Sequence, residues 1–173
     1  LIKIEYDTDK FQNDTLLFSI LYLTSIHFRG SKKQNLYIQK YKNQLFDALE
    51  KILEKSTKLS KNIISFNKDI VKDFKNEETS VETNTKNIIY IFENVLTEKY
   101  NIIFFENGIA QPFKLNSSYP ILLIENTDNV FKPIISKSQF VFKNSSSIIK
   151  IIHLNNKKEN TSRKRDPKHL FCE

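Results

Sequence analysis

The sequence predicts an α+β fold: a helical N-terminal half followed by an antiparallel β meander, in one domain. In roughly the first 100 residues, apolar side chains recur every three or four positions, which indicates helices. After that point, short segments rich in Ile and Phe are separated by Asn, Asp and Gly, the residues of tight turns between strands. Helices first and strands afterward predict this class, and 173 residues are enough for one buried core.

The first elements predicted are an edge strand and a buried helix. LIKIEY alternates apolar with charged residues, as a short edge strand does. NDTLLFSILYLTSIHF follows, with Asn13 or Asp14 as the N-cap and Gly30 as the left-handed residue that ends the helix. Because this run is apolar on most faces, the helix is expected inside the domain.

Two more helices are predicted in the middle of the chain. NLYIQKYKNQLFDALEKILEKS has the clearest helical period, with Lys and Glu on its polar face, and KNIIYIFENVLTEKY repeats the pattern. Between them, NIISFNKDIVKDFKN predicts one or two shorter helices, and the polar stretch EETSVETNT predicts a loop.

The second half predicts a run of strands. NIIFF, AQPFKL, PILLIE and VFKPII are strand-sized, and the turn sequences ENG and NTDN lie among them. QFVF and SIIKIIHL are predicted as further strands. Residues 155–173 have no periodicity, so we expect a globular domain over residues 1–154 and a flexible basic tail or linker after it.

Composition narrows the function classes. The net charge is +7, but residues 155–173 hold six basic and three acidic residues, so the first 154 residues carry only +4. No apolar run approaches the roughly 18 residues that span a bilayer, so no membrane partner is expected. Lys, Asn and Ile dominate, as in AT-rich genomes such as those of large DNA viruses. The chain has no Met, which favours a segment of a larger protein. Cys172 is its single cysteine, which favours a reducing, intracellular compartment, the cytoplasm or the nucleus.

Two motifs lie in an order that resembles the OTU family of ubiquitin-cleaving cysteine proteases. NDTLLF opens the first predicted helix, and NVFKPI follows the turn of the late hairpin. In that family, DGNCLF places the nucleophilic cysteine at a helix N-terminus, and HY after a strand and a turn supplies the histidine base. Leu17 and Phe18 match the end of the first motif, over a resemblance that covers roughly residues 1–135.

The resemblance puts Leu16 at the cysteine position and Val130 at the histidine position. Leucine cannot ionise and valine cannot accept a proton, so the resemblance implies a protein that is not an enzyme and needs no cofactor. We therefore expect an OTU-like interaction or scaffolding module. Its implied partner is a ubiquitin-like protein or another part of the same polypeptide.

Other residues offer weaker routes to chemistry. Cys172 and His169 lie close in the predicted tail, which lacks the rigid surroundings that catalysis requires. His27 is expected to be a core or capping residue, and His153 a half-exposed residue at a strand end. No metal-ligand spacing is present, so no metal site is predicted. With two glycines, the chain has no phosphate-binding loop.

The alternative function is nucleic-acid binding. The predicted tail contains SRKRDPK, a basic cluster suited to phosphate contacts or to a nuclear address. Its candidate binding residues are Arg163, Lys164, Arg165 and Lys168.

Overall fold

The computed structural model describes residues 1–55, 68–69, 72, 81–94, 98–116 and 118–162. The predicted α+β class is confirmed, with helices in the first half and the main strands in the second. The chain forms two compact units. One consists of Leu1–Lys32 with Tyr100–Glu173 and contains the sheet, and the other is Lys33–Lys99.

The helical unit contains α3 (Gln34–Lys55) and α4 (Val81–Asn94). Both were predicted, because their buried residues follow the helical period: Ile38, Leu45 and Leu49 in α3, and Ile88, Ile91 and Phe92 in α4. Helix α4 begins at Val81, inside the segment EETSVETNT that was expected to be a loop. Lys68, Asp69 and Lys72 are helical, and the rest of the segment predicted as short helices lies outside the described residues.

The sheet unit begins with β1 (Ile2–Lys3), two short 3-10 helices (Thr8–Lys10 and Gln12–Asp14), α1 (Thr15–Thr24) and α2 (Ile26–Arg29). Asp14, not Asn13, precedes α1, and most residues of α1 are buried, as predicted. The predicted helix breaks at Ser25, whose side chain accepts a hydrogen bond from Phe28 N at 3.1 Å and caps α2. Gly30 has φ −85°, so it is not the left-handed residue that we expected.

The remaining elements of this unit are β2 (Asn101–Glu106), β3 (Ile109–Ala110), β4 (Ile121–Thr127), β5 (Val130–Ile135) and α5 (Ser146–Ser162). Among the described residues, the strands form one five-stranded sheet in the order β1-β5-β4-β2-β3. The two tight turns are as predicted. Asn107 and Gly108 have φ of 52° and 78°, and Asp128 and Asn129 have φ of 50° and 63°, as two-residue hairpins require.

The sheet is mixed, so the prediction of an antiparallel meander is wrong in one respect: β2 and β4 are parallel. Strand β3 occupies one edge of β2, and the chain must therefore cross back before β4 pairs with the other edge. Asn101 fastens this crossover, because its side-chain amide donates to Asn116 O at 2.8 Å and to Tyr119 O at 2.9 Å.

Three strand predictions are corrected. SIIKIIHL belongs to helix α5, whose Ile148 and Ile152 are buried against the sheet, because a continuous apolar run is compatible with a helix or a strand. QFVF contributes only an isolated bridge between Phe142 and Ile121. Of the segment AQPFKL, only Ala110 belongs to a strand, β3. Because α5 continues to Ser162, the boundary predicted between residues 154 and 155 falls within a helix.

Candidate functional site

The start of α1 contacts the start of β5, the two places where the OTU resemblance puts its catalytic motifs. Thr15 Oγ1 accepts a hydrogen bond from Phe131 N at 3.1 Å, and Tyr6 OH donates to Phe131 O. The N–H and the C=O of Phe131 are therefore both bound by side chains. The first of these contacts joins the residue before Leu16 to the residue after Val130.

Leu16 lies in the first turn of α1 and is only 3% exposed. The aromatic side chains before and within the helix pack together at this end. Tyr6 stacks on Phe18 with ring centroids 3.8 Å apart, and Phe11 lies 4.6 Å from Phe18. Position 16 therefore holds a hydrocarbon that is closed to solvent, whereas a working nucleophile must be reached by its substrate.

Val130 is the first residue of β5 and is partly exposed. Its cross-strand partner is Thr127. Because side chains alternate along a strand, Val130 shares a face of the sheet with Lys132 and Ile134. The structure thus brings the two motif segments together, with a buried aliphatic residue at one position and a partly exposed one at the other.

Hydroxyl groups cluster where α1 meets β5, and they act structurally. Ser19 Oγ donates to Thr15 O at 2.9 Å, and both residues are buried. Burial raises the pKa of Tyr6 well above its usual value, although hydrogen bonds with Ser19 and Thr15 oppose the shift. The phenol therefore stays neutral at physiological pH, and it serves as a hydrogen-bond donor rather than as a base.

A polar cleft of about 290 Å³ lies beside Val130. It is lined by the two tight turns, through Glu106, Asn107, Asn126, Thr127, Asp128 and Asn129. These turns share one edge of the sheet because β2 and β4 are parallel and end together. The sequence predicted both turns but not their proximity, since that proximity depends on the parallel pairing.

An ion-pair network crosses the neighbouring strands β1, β5 and β4. Buried Glu125 Oε2 lies 3.3 Å from Lys3 Nζ, and Glu5 Oε2 lies 2.6 Å from Lys132 Nζ. The hydrogen bond from Lys132 lowers the pKa of Glu5, and Lys3 adds to the effect. Sequence reasoning missed this network because its members lie far apart along the chain.

The other candidate residues are not brought to this site. His27 is exposed on α2, so it is not a core residue, and His153 is exposed on helix α5 instead of half-exposed at a strand end. Arg163, Lys164, Arg165, Lys168, His169 and Cys172 lie outside the described residues.

Within the part of the chain that the structure describes, no three His, Cys, Asp or Glu side chains are grouped closely enough to hold a metal ion. Over the same residues, no helix is both long enough and apolar enough to cross a membrane. In comparisons with known proteins, no family model and no curated protein matches the chain.

Proposed function

We propose that the chain is a non-catalytic, OTU-like module that binds another protein. The observation that carries this proposal is the contact of Thr15 with Phe131, 3.1 Å between Oγ1 and N. It joins the two segments that the resemblance aligns with the nucleophile and base motifs, although these segments are 116 residues apart in the sequence. This contact supports the proposal because the resemblance also expects its two motif segments to lie side by side.

The side chains at the two aligned positions argue for binding rather than cleavage. A cysteine protease needs a thiolate and a base within hydrogen-bond reach. Leu16 and Val130 supply neither group, and Leu16 is buried. The hydroxyl groups near Leu16 are engaged in structural hydrogen bonds: those of Thr15 and Tyr6 bind the backbone of Phe131, and that of Ser19 binds Thr15 O within α1.

The proposed partner is ubiquitin or a related protein, bound at the surface around Val130. The cleft formed by Glu106, Asn107 and the turn at residues 126–129 offers carboxylate and amide groups beside that position. A ligand that lay along the degenerate site would reach these polar groups. As part of the same proposal, the module belongs to a larger protein of viral origin and acts there as a scaffold.

The experiment is a titration of isotopically labelled protein with ubiquitin, up to millimolar concentration, followed by amide chemical shifts. We expect the shifts to concentrate at residues 126–130 and to weaken when Asp128 is replaced by lysine. His153→Lys is the matched control, since it adds a positive charge at an exposed position of α5. Unchanged shifts throughout would remove ubiquitin as the partner, and equal weakening by both variants would remove the cleft as its site.

Nucleic-acid binding through Arg163, Lys164, Arg165 and Lys168 stays a prediction. It requires an affinity that falls steeply with salt and is lost when residues 163–173 are deleted. Affinity that survives the deletion would contradict it.

A further inference from the structure

The outer edge of β3 is covered by two side chains of α5. Asn156 Oδ1 accepts a hydrogen bond from Ala110 N at 2.7 Å, and Asn155 Nδ2 donates to Gly108 O at 2.8 Å. The neighbouring residue Gln111 points the other way, since its N–H bonds to Phe104 O within the hairpin. Asn155 thus supplies the donor, and Asn156 the acceptor, that an adjacent strand would supply.

Such a cover has a physical purpose, because an open strand edge pairs readily with another chain. On the side of β5 that faces away from β4, the backbone pairs with β1, and the backbone of Phe131 is bound by Tyr6 and Thr15. On β3, the cover comes from a helix instead. Pro112 lies two residues beyond Ala110 and lacks an N–H, so this edge offers no backbone donor at position 112.

The asparagines follow two exposed residues of α5. Ile152 is fully buried, but the next residues, His153 and Leu154, are exposed, Leu154 by 66%. Among the described side chains after Ile152, those of Asn155 and Asn156 make the contacts with the hairpin.

We propose that Asn155 and Asn156 form an edge guard, which prevents β3 from pairing with β3 of a second copy of this chain. The second copy is the fitting occupant because the edge is self-complementary. Gly108 O and Ala110 N provide one acceptor and one donor, so two such edges related by a twofold axis satisfy each other in an antiparallel pair. Release of the guard converts a closed monomer into a strand-paired dimer.

The first test uses two isosteric substitutions at adjacent positions. Asn156→Asp keeps an oxygen to accept from Ala110 N–H, whereas Asn155→Asp loses its donor and sets a carboxylate against Gly108 O. Both variants add the same charge to the same helix. We expect hydrogen exchange of the Ala110 amide to accelerate roughly twofold to tenfold in Asn155→Asp and to stay unchanged or slow in Asn156→Asp. Equal exchange in the two variants would overturn the guard.

The second test measures association by sedimentation velocity over a range of protein concentrations. The double variant N155A/N156A removes both hydrogen bonds without a charge, and alanine favours the helix, so α5 itself is preserved. We expect a concentration-dependent dimer for this variant and a monomer for the control H153A/L154A, which changes exposed neighbours. If N155A/N156A stayed monomeric, the proposal would be overturned, even if hydrogen exchange showed that the Ala110 amide had lost its protection. Equal dimer formation by N155A/N156A and by the control H153A/L154A would also overturn it.

Discussion

Replacing Thr15 by valine removes the hydrogen bond that joins α1 to β5, together with the hydrogen bond between the hydroxyl groups of Thr15 and Tyr6. Valine has nearly the shape of threonine but no hydroxyl, so Phe131 N–H would lose the acceptor that now lies 3.1 Å away. Thr15 is 1% exposed and Phe131 is fully buried, which leaves no route for water to replace the bond. The substitution therefore creates a buried, unsatisfied backbone donor.

The expected loss is about 1–3 kcal/mol in the free energy of unfolding, the cost of leaving such a donor unpaired. For a chain of this size, that corresponds to a fall of roughly 2–12 °C in Tm. Thr15→Ser is the matched control. It keeps the hydroxyl and removes one methyl group, for which we expect a loss of about 1 kcal/mol or less.

Urea unfolding followed by circular dichroism gives the two free energies, and hydrogen exchange of the Phe131 amide separates the causes. We expect faster exchange in Thr15→Val and near-normal exchange in Thr15→Ser. If the two variants were equally stable and equally protected at Phe131, the contact would not hold α1 to β5, and the geometric support for the proposed function would fall with it.

Three further predictions concern residues outside that contact. Lys132 lowers the pKa of Glu5, so this carboxylate stabilises the fold above its unfolded pKa, and the stabilisation is lost as the pH falls through the lower folded value. The difference in unfolding free energy between wild type and Glu5→Gln should therefore shrink in acid, and a difference that stayed constant with pH would refute this prediction. Asn101→Asp removes the two hydrogen bonds that the side-chain amide donates to the crossover, and it should lower the free energy of unfolding in urea by roughly 2–3 kcal/mol. An unchanged urea midpoint would contradict this prediction. Asn129 has φ of 63°, so Asn129→Gly should leave the thermal midpoint unchanged or raise it slightly, whereas Asn129→Val should lower it by a clear margin; the reverse order would contradict the turn geometry.

The parts of the fold that sequence analysis predicted are those fixed by local pattern. Helices α1, α3 and α4 follow from apolar spacing, and both tight turns follow from Asn, Asp and Gly at positions with positive φ. SIIKIIHL was assigned wrongly because a short apolar run has no distinguishing period. Its burial at Ile148 and Ile152 depends on the sheet that α5 packs against.

The candidate site depended on contacts that no local pattern encodes. Tyr6 and Phe131 are 125 residues apart, and the cleft forms only because β2 and β4 run parallel. The motifs indicated Leu16 and Val130, but the hydroxyl groups of Tyr6 and Thr15 that bind Phe131 carry no signal of their own, since Thr and Tyr occur throughout the chain. Likewise, Asn155 and Asn156 were assigned to a tail, because the asparagine side chains gave no indication of the strand edge that they bind.

The most direct test of the proposed function is a cleavage assay with the purified chain and isopeptide-linked ubiquitin chains. With Leu16 and Val130 at the aligned positions, we predict no release of ubiquitin above the rate in buffer, in wild type and in Cys172→Ser alike. Saturable turnover by the wild-type chain would contradict the account, whichever residue carried it.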